Sequence, residues 1–273
     1  MDYDALAKLL PPHVGMLFTD TIHHTLDPAI DPANAALPDG YTVLVIGAGG
    51  GIGEYIAKAF VKAKASNVII TGRSPENLAR VKGELEEMAS RRGSTVHVST
   101  EPGDASREET YPKLKQLLQD RYGGRLDCTV CCAGNITSIN EFAPLPDFPC
   151  ENFLQTMHIN LFGPFYAARH LLPLMLQPPS TGKLFINIVS IAAHLTGLSP
   201  ISYNIAKLAQ TRLSQQLGET YADQGLVVIA MHPGSTRTPG TKVLLPAAVY
   251  DGKALLSVRF GFAGSRCAGS VGR

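Results

Sequence analysis

Basic clusters are scarce in this 273-residue chain: none exceeds Arg91-Arg92, and 24 Lys and Arg against 23 Asp and Glu leave a formal charge of +1. That balance gives no electrostatic basis for binding nucleic acid or an anionic membrane. Long apolar runs are missing as well, since none reaches the ~20 residues needed to cross a bilayer. The N-terminus, MDYDALAKLLPPH, carries two acids and lacks the basic start and apolar core of a secretion signal. A soluble, cytoplasmic protein with neither nucleic-acid nor membrane partners is the expectation. Cysteine is sparse and odd in number, five in all, with Cys128, Cys131 and Cys132 crowded into LDCTVCCAG. An odd, clustered set is not a disulfide framework. No His or further Cys follows at zinc spacing, so these are expected to be structural thiols in a buried strand, with no metal site. The adjacent His23 and His24 have no acidic or Cys partner at ligand spacing and are expected at the surface.

What is present is a 45 % hydrophobic chain, enough to bury the core of one large α/β domain. Residues 1–40 read as an N-terminal extension. Leu6, Leu9 and Leu10 suit one short amphipathic helix, and the Asp-Pro steps at Asp27 and Asp31 suit loop. The domain is expected over 41–240, followed by a divergent tail, 241–273, whose Gly/Ser/Ala-rich end is compatible with disorder. Within that tail only 254–260 offers a strand-like run.

The domain opens with YTVLVIGAGGGIGEYIAKAF, a β-branched run, then glycines, then helical spacing through Ile52, Ile56, Ala59 and Phe60. Glycines 47, 49, 51 and 53 permit a tight turn and let a phosphate approach free N–H groups at a helix N-terminus. No Lys-Ser/Thr follows, which disfavours a nucleoside-triphosphate loop, whereas the flanking strand and helix favour a dinucleotide turn. The second strand, 67–71, ends in Gly72-Arg73-Ser74. An acid there would bind a ribose 2′-hydroxyl, whereas Arg73 suits a 2′-phosphate, so NADP is favoured over NAD; an ordinary exposed arginine is the plainer alternative.

A helix over 75–92, a strand over 95–99, Asp104, a helix over 107–123 and a strand over 126–132 follow. Asp104 can cap the helix after it or touch an adenine, and both readings stay open. Residues 151–176 carry a long apolar helical face containing Asn160, an amide that could simply bond nearby backbone. The non-alternating run 183–189 reads as a strand buried on both faces, with Ser190 at its end. Ile201, Ile205, Leu208 and Ala209 then mark a helix entered through Ser199-Pro200. Tyr203 and Lys207, four apart, share a face of it, close enough for the ammonium to favour the ionised phenol. A last strand over 226–231 ends at Pro233-Gly234. Strands alternating with helices imply a doubly wound parallel sheet, a Rossmann-like three-layer sandwich in a single domain. Gly47, Gly72, Gly134, Ser190 and Pro233 all fall at strand ends, the edge where such sheets bind ligands.

Over about 41–238 the chain resembles the short-chain dehydrogenase/reductase family. The resemblance is carried by Gly47-x-Gly49-x-Gly51-Ile52-Gly53, Asp104, Ala133-Gly134, Asn160, Ser190, Tyr203-x-x-x-Lys207, and Pro233-Gly234 with Thr236 and Thr238. It implies that Tyr203 is the general acid/base and that Lys207 binds the nicotinamide ribose and lowers the tyrosine pKa. It further implies that Ser190 holds the substrate oxygen, Asn160 supports a water-linked proton relay, and Thr236 and Thr238 lie by the nicotinamide carboxamide. NADP(H), a small carbonyl or alcohol substrate and a homodimer or homotetramer follow from the same resemblance. Two departures stand out. Cys131 and Cys132 occupy the positions of the family's usual Asn-Asn, and the segment after Pro233-Gly234 differs from the family's capping helix and final strand. The alternative to an oxidoreductase is therefore a catalytically weak nucleotide-binding protein with an incomplete substrate pocket.

Overall fold

The computed structural model describes residues 26–135, 145–195, 199–234, 236 and 238. The helix expected around Leu6, the histidines 23 and 24, and the tail after 240 lie outside these residues. Asp27 and Asp31 each accept a hydrogen bond from the backbone two residues on, at Ala29 and Ala33 (2.8 and 2.9 Å). These bonds convert the expected Asp-Pro loop into two 3₁₀ turns, Pro28–Ile30 and Pro32–Asn34.

Six strands form one parallel sheet: β1 (Thr42–Ile46), β2 (Asn67–Gly72), β3 (His97–Pro102), β4 (Cys128–Cys131), β5 (Leu184–Ile188) and β6 (Val227–Met231), in the spatial order β3-β2-β1-β4-β5-β6. The helices between them are α1 (Gly51–Lys62), α2 (Pro75–Arg91), α3 (Thr110–Tyr122), α4 (Cys150–Met157), α5 (Gly163–Met175) and α6 (Ile201–Thr220). The fold is therefore the doubly wound, Rossmann-like single domain expected.

Side chains alternate across the sheet, so β1 sends Val43 and Val45 to one apolar layer and Leu44 and Ile46 to the other. The first layer packs under Ile56 and Phe60 of α1 and Leu78, Val81 and Leu85 of α2. The second packs under Leu114 and Leu118 of α3 and Ala167 and Leu171 of α5. Free thiols of Cys128 and Cys131 are buried within β4, one in each layer.

β3 runs two to three residues later than its expected position because its sequence, HVSTEP, is only weakly apolar. Pairing with β2, from Asn67 opposite His97 to Gly72 opposite Pro102, sets its limits instead. α3 likewise starts at Thr110 rather than Arg107. The stretch before it is taken by a turn in which Asp104 accepts from the Ser106 backbone and hydroxyl (2.9 and 2.7 Å). Asp104 thus caps no helix. The helix expected over 151–176 is continuous but contains one π-helical turn, His158–Phe162, between α4 and α5.

Candidate functional site

The strand order reverses between β1 and β4, and the crevice forms at their C-terminal ends. Gly47 follows β1 with φ +90°, and a Cβ there would lie 2.6 Å from the Ala133 main chain. A Cβ on Gly53 would collide with the Gly47 carbonyl oxygen. Both positions therefore require glycine, and the resulting tight turn aims the N-terminus of α1 into the crevice.

A cavity of ≈ 450 Å³ opens there. Among the residues lining it are Gly47, Gly49, Gly51, Ile52, Gly53, Arg73, Asp104, Ala133, Gly134 and Thr238, all expected nucleotide contacts. The Thr238 methyl lies 3.5 Å from where a Gly51 Cβ would stand, so the chain after β6 returns across the glycine turn. Pro233, Gly234 and Thr236 are not among the residues lining the cavity.

At the far end Arg73 is exposed and makes no ion pair among the described residues. Next to it, Ser74 caps α2 by accepting from the Asn77 backbone N–H (3.1 Å), and both line the cavity. Buried Thr71 Oγ1, without a hydrogen-bond partner, lines the same wall. A backbone cradle open to a pyrophosphate, an unpaired guanidinium and an unmet hydroxyl suit a dinucleotide. Ser74, Asn77 and Ile159 were not expected from the sequence, although the Ser-x-x-Asn cap is a local signal for the first two.

Asn160, Ser190, Tyr203 and Lys207 converge beside this cavity. Asn160 is fully buried in the π turn; its Nδ2 donates to the carbonyls of Asn135 and Thr156 (both 3.0 Å), and its Oδ1 has no hydrogen-bond partner. The bond to Thr156 is the local backbone contact foreseen for such an amide, and the bond to Asn135 ties the helix to the loop after β4. A Cβ on Gly134 would stand 2.7 Å from Asn160 Oδ1 and 3.6 Å from Lys207 Nζ, so glycine there leaves room between amide and ammonium. Lys207, 3 % exposed, donates to the Ile188 carbonyl and to Gln210 Oε1 (both 2.9 Å). Its Nζ sits 5.5 Å from the Tyr203 ring centroid. Ser190, two residues past β5, accepts from the Ala192 N–H (3.2 Å) and hydrogen-bonds Tyr203.

The electrostatics differ from the sequence expectation. Burial pushes the Tyr203 phenol up to about 12; the hydrogen bond to Ser190 works against that, and nearby Cys132 adds to it. Lysine does not lower the phenol's own titration, because burial brings Lys207 down to about 8 and the ammonium has lost its charge before the phenol titrates. Burial also raises the Cys132 thiol to about 12, so it stands neutral in the cavity wall. Sequence reading passed over Gln210 as well, three residues after Lys207 and hence on its helical face.

Residues 41–247 match the family model described as short chain dehydrogenase. A curated relative from Aspergillus terreus, short chain dehydrogenase pgmD, is 47 % identical over 94 % of this chain and 82 % of its own length. One from Monascus purpureus, short chain dehydrogenase mpl6, is 31 % identical over 84 % of this chain and 75 % of its own. Among solved structures, a short-chain type dehydrogenase/reductase from Mycobacterium ulcerans aligns with TM-score 0.67 and 29 % identity, covering 75 % of this chain and 70 % of that one. A short chain dehydrogenase from Shigella flexneri, complexed with NADP, aligns with TM-score 0.64 and 27 % identity over 74 % and 80 %.

Proposed function

The chain belongs to the short-chain dehydrogenase family, and we propose that it passes a hydride between NADP(H) and a carbonyl/alcohol pair through Tyr203, Lys207, Ser190 and Asn160. The observation that carries this reading is the convergence of those four side chains beside the cavity under the glycine turn. A bound nicotinamide would supply or accept the hydride. Ser190 orients the substrate oxygen, and Tyr203 gives that oxygen its proton in reduction or takes it in oxidation. A phenol held near 12 is a neutral acid at physiological pH, the state needed to donate. Lys207, charged below about 8, favours the phenolate left behind. The unmet Asn160 Oδ1 offers an acceptor for a water linking Lys207 to solvent, which would restore the proton. Arg73, exposed beside the α2 N-terminus, supports NADP over NAD because a guanidinium matches a phosphate dianion.

A homodimer or homotetramer belongs to the same proposal. Ile201, Ile205 and Leu208 of α6, with Leu154 of the adjoining α4 and Phe165 of α5, lie 40–57 % exposed. Exposed large apolar side chains of that kind suit burial against a second copy.

Tyr203→Phe tests the reading, since it removes the proton and keeps the ring. NADPH oxidation with any accepted carbonyl should fall by at least ~10²-fold while NADPH affinity barely changes. Near-normal turnover in this variant would overturn the assignment.

A further inference from the structure

Among the described residues, no carboxylate faces the buried Lys207 cation. Among the described residues, the titratable groups around it are Tyr203 from its own helix, Cys131 at the end of β4 and Cys132 just after it; burial raises both thiols, so neither supplies a counter-charge near neutrality. The π turn brings the neutral Asn160 to the same side of Gly134, and β5 contributes the Ile188 carbonyl. An ammonium taken from water in this way depends on charge-assisted hydrogen bonds. One acceptor is the main chain of β5. The other is the side chain of Gln210, which is 0 % exposed.

Gln210 itself is poorly placed on any other account. Its Nε2 is buried without a hydrogen-bond partner, a burden that an apolar side chain of similar length would avoid. The turn that carries it is fixed against the sheet. Ser214 Oγ donates to the Gln210 carbonyl (2.9 Å) and accepts from Asn187 Nδ2 of β5 (2.8 Å). Both acceptors of Lys207 are therefore referenced to the same strand, the one that delivers Ser190.

We propose that Gln210 is a positioning residue: its side-chain carbonyl holds the Lys207 ammonium toward the cavity and sustains its charge inside the fold. This rests on Lys207 serving the reaction as described above, but it is read out without turnover. The unpaired Nε2 is the cost of keeping a neutral acceptor there. A carboxylate would bind the ammonium too tightly to leave it responsive, and a hydrocarbon would not bind it.

The test follows the Lys207 side-chain titration by NMR in protein carrying 13C-labelled lysine, with neither substrate nor cofactor, its signal identified by its loss in Lys207→Met. Gln210→Met keeps length and removes the acceptor, so the midpoint should fall by about one pH unit. Gln210→Glu keeps shape and adds charge, so the midpoint should rise by at least about one unit. The pH profile of NADPH oxidation should move in the same two directions. Unchanged midpoints, or midpoints moving the same way in both variants, would overturn the proposal, even with activity reduced. Should Gln210→Met fail to fold, the Gln210→Glu arm decides alone. If Tyr203→Phe keeps full turnover while the two midpoints still diverge, the catalytic assignment fails and the role of Gln210 stands.

Discussion

Helices α1 and α6 each follow a strand whose end faces the crevice, yet they are built inside out with respect to each other. α1 buries Ile56, Ala57, Ala59, Phe60 and Val61, and the one charge it buries, Glu54, is neutralised by Lys58 and by Arg80 of α2, with Glu84 pairing the same two cations. α6 buries Ser202, Lys207, Gln210 and Ser214 and turns Ile201, Ile205 and Leu208 outward. The first arrangement is what the hydrophobic effect alone selects. The second keeps polar chemistry on the cleft side at the expense of monomer stability, and its outward stripe calls for a partner. One charge on each helix expresses the contrast: Glu54 should stabilise the fold and Lys207 should burden it.

The largest test of the contrast is the outward face of α6. If the chain forms the proposed homo-oligomer through this face, Ile205→Lys with Leu208→Lys should convert it wholly to monomer in sedimentation or light scattering. The monomer's own stability should change little, since exposed substitutions usually cost within about 0.5 kcal/mol. An unchanged particle mass would remove α6 from the subunit contact.

Next is the inward face. The Lys207 pKa drops from 10.5 to about 8 on folding, so between those values the unfolded chain binds more protons and folded stability rises with pH. Denaturant unfolding of wild type and Lys207→Met across pH 7–10.5 should therefore show the difference moving toward wild type, by up to about 3 kcal/mol. A flat difference would mean that Lys207 is better solvated than its burial implies.

The sequence displays these two helices unequally, and the reason is physical. The glycine turn before α1 was legible because Gly47 and Gly53 answer to main-chain collisions, which are local and independent of the rest of the fold. Strand ends were legible wherever a β-branched run stopped at glycine or proline. β3 was less so, because its limits come from its neighbour's register. For α6, periodicity revealed an apolar stripe but not which side it faces: a stripe bound for a core and one bound for another subunit have the same spacing. Tyr203 and Lys207 were found from their spacing, whereas their acidities were not, since burial sets both. The change from hydrophobicity to chemistry on the inner face hid Gln210 in plain view.

The smallest effect belongs to α1. Glu54, with its side chain 11 % exposed, accepts from Lys58 Nζ at 2.6 Å and Arg80 Nη2 at 2.8 Å, while Glu84 takes the other contact of each cation. Burial would raise its pKa, but the hydrogen bonds from Arg80 and Lys58 outweigh that and hold the carboxyl below its usual 4.5. A depressed carboxylate stabilises above the unfolded value and loses that contribution as pH falls through the lower folded one. Glu54→Gln keeps the shape and leaves both cations with Glu84, so it should cost about 1 kcal/mol at neutral pH. The cost should fade below about pH 4 and shrink in high salt, which screens the partly exposed cations. Lys207→Met should show its own pH dependence at the alkaline end with the opposite standing: a charge that the fold carries for its chemistry. If Glu54→Gln proves neutral at pH 7 and in low salt, the α1–α2 network is ornamental and the contrast reduces to α6 alone.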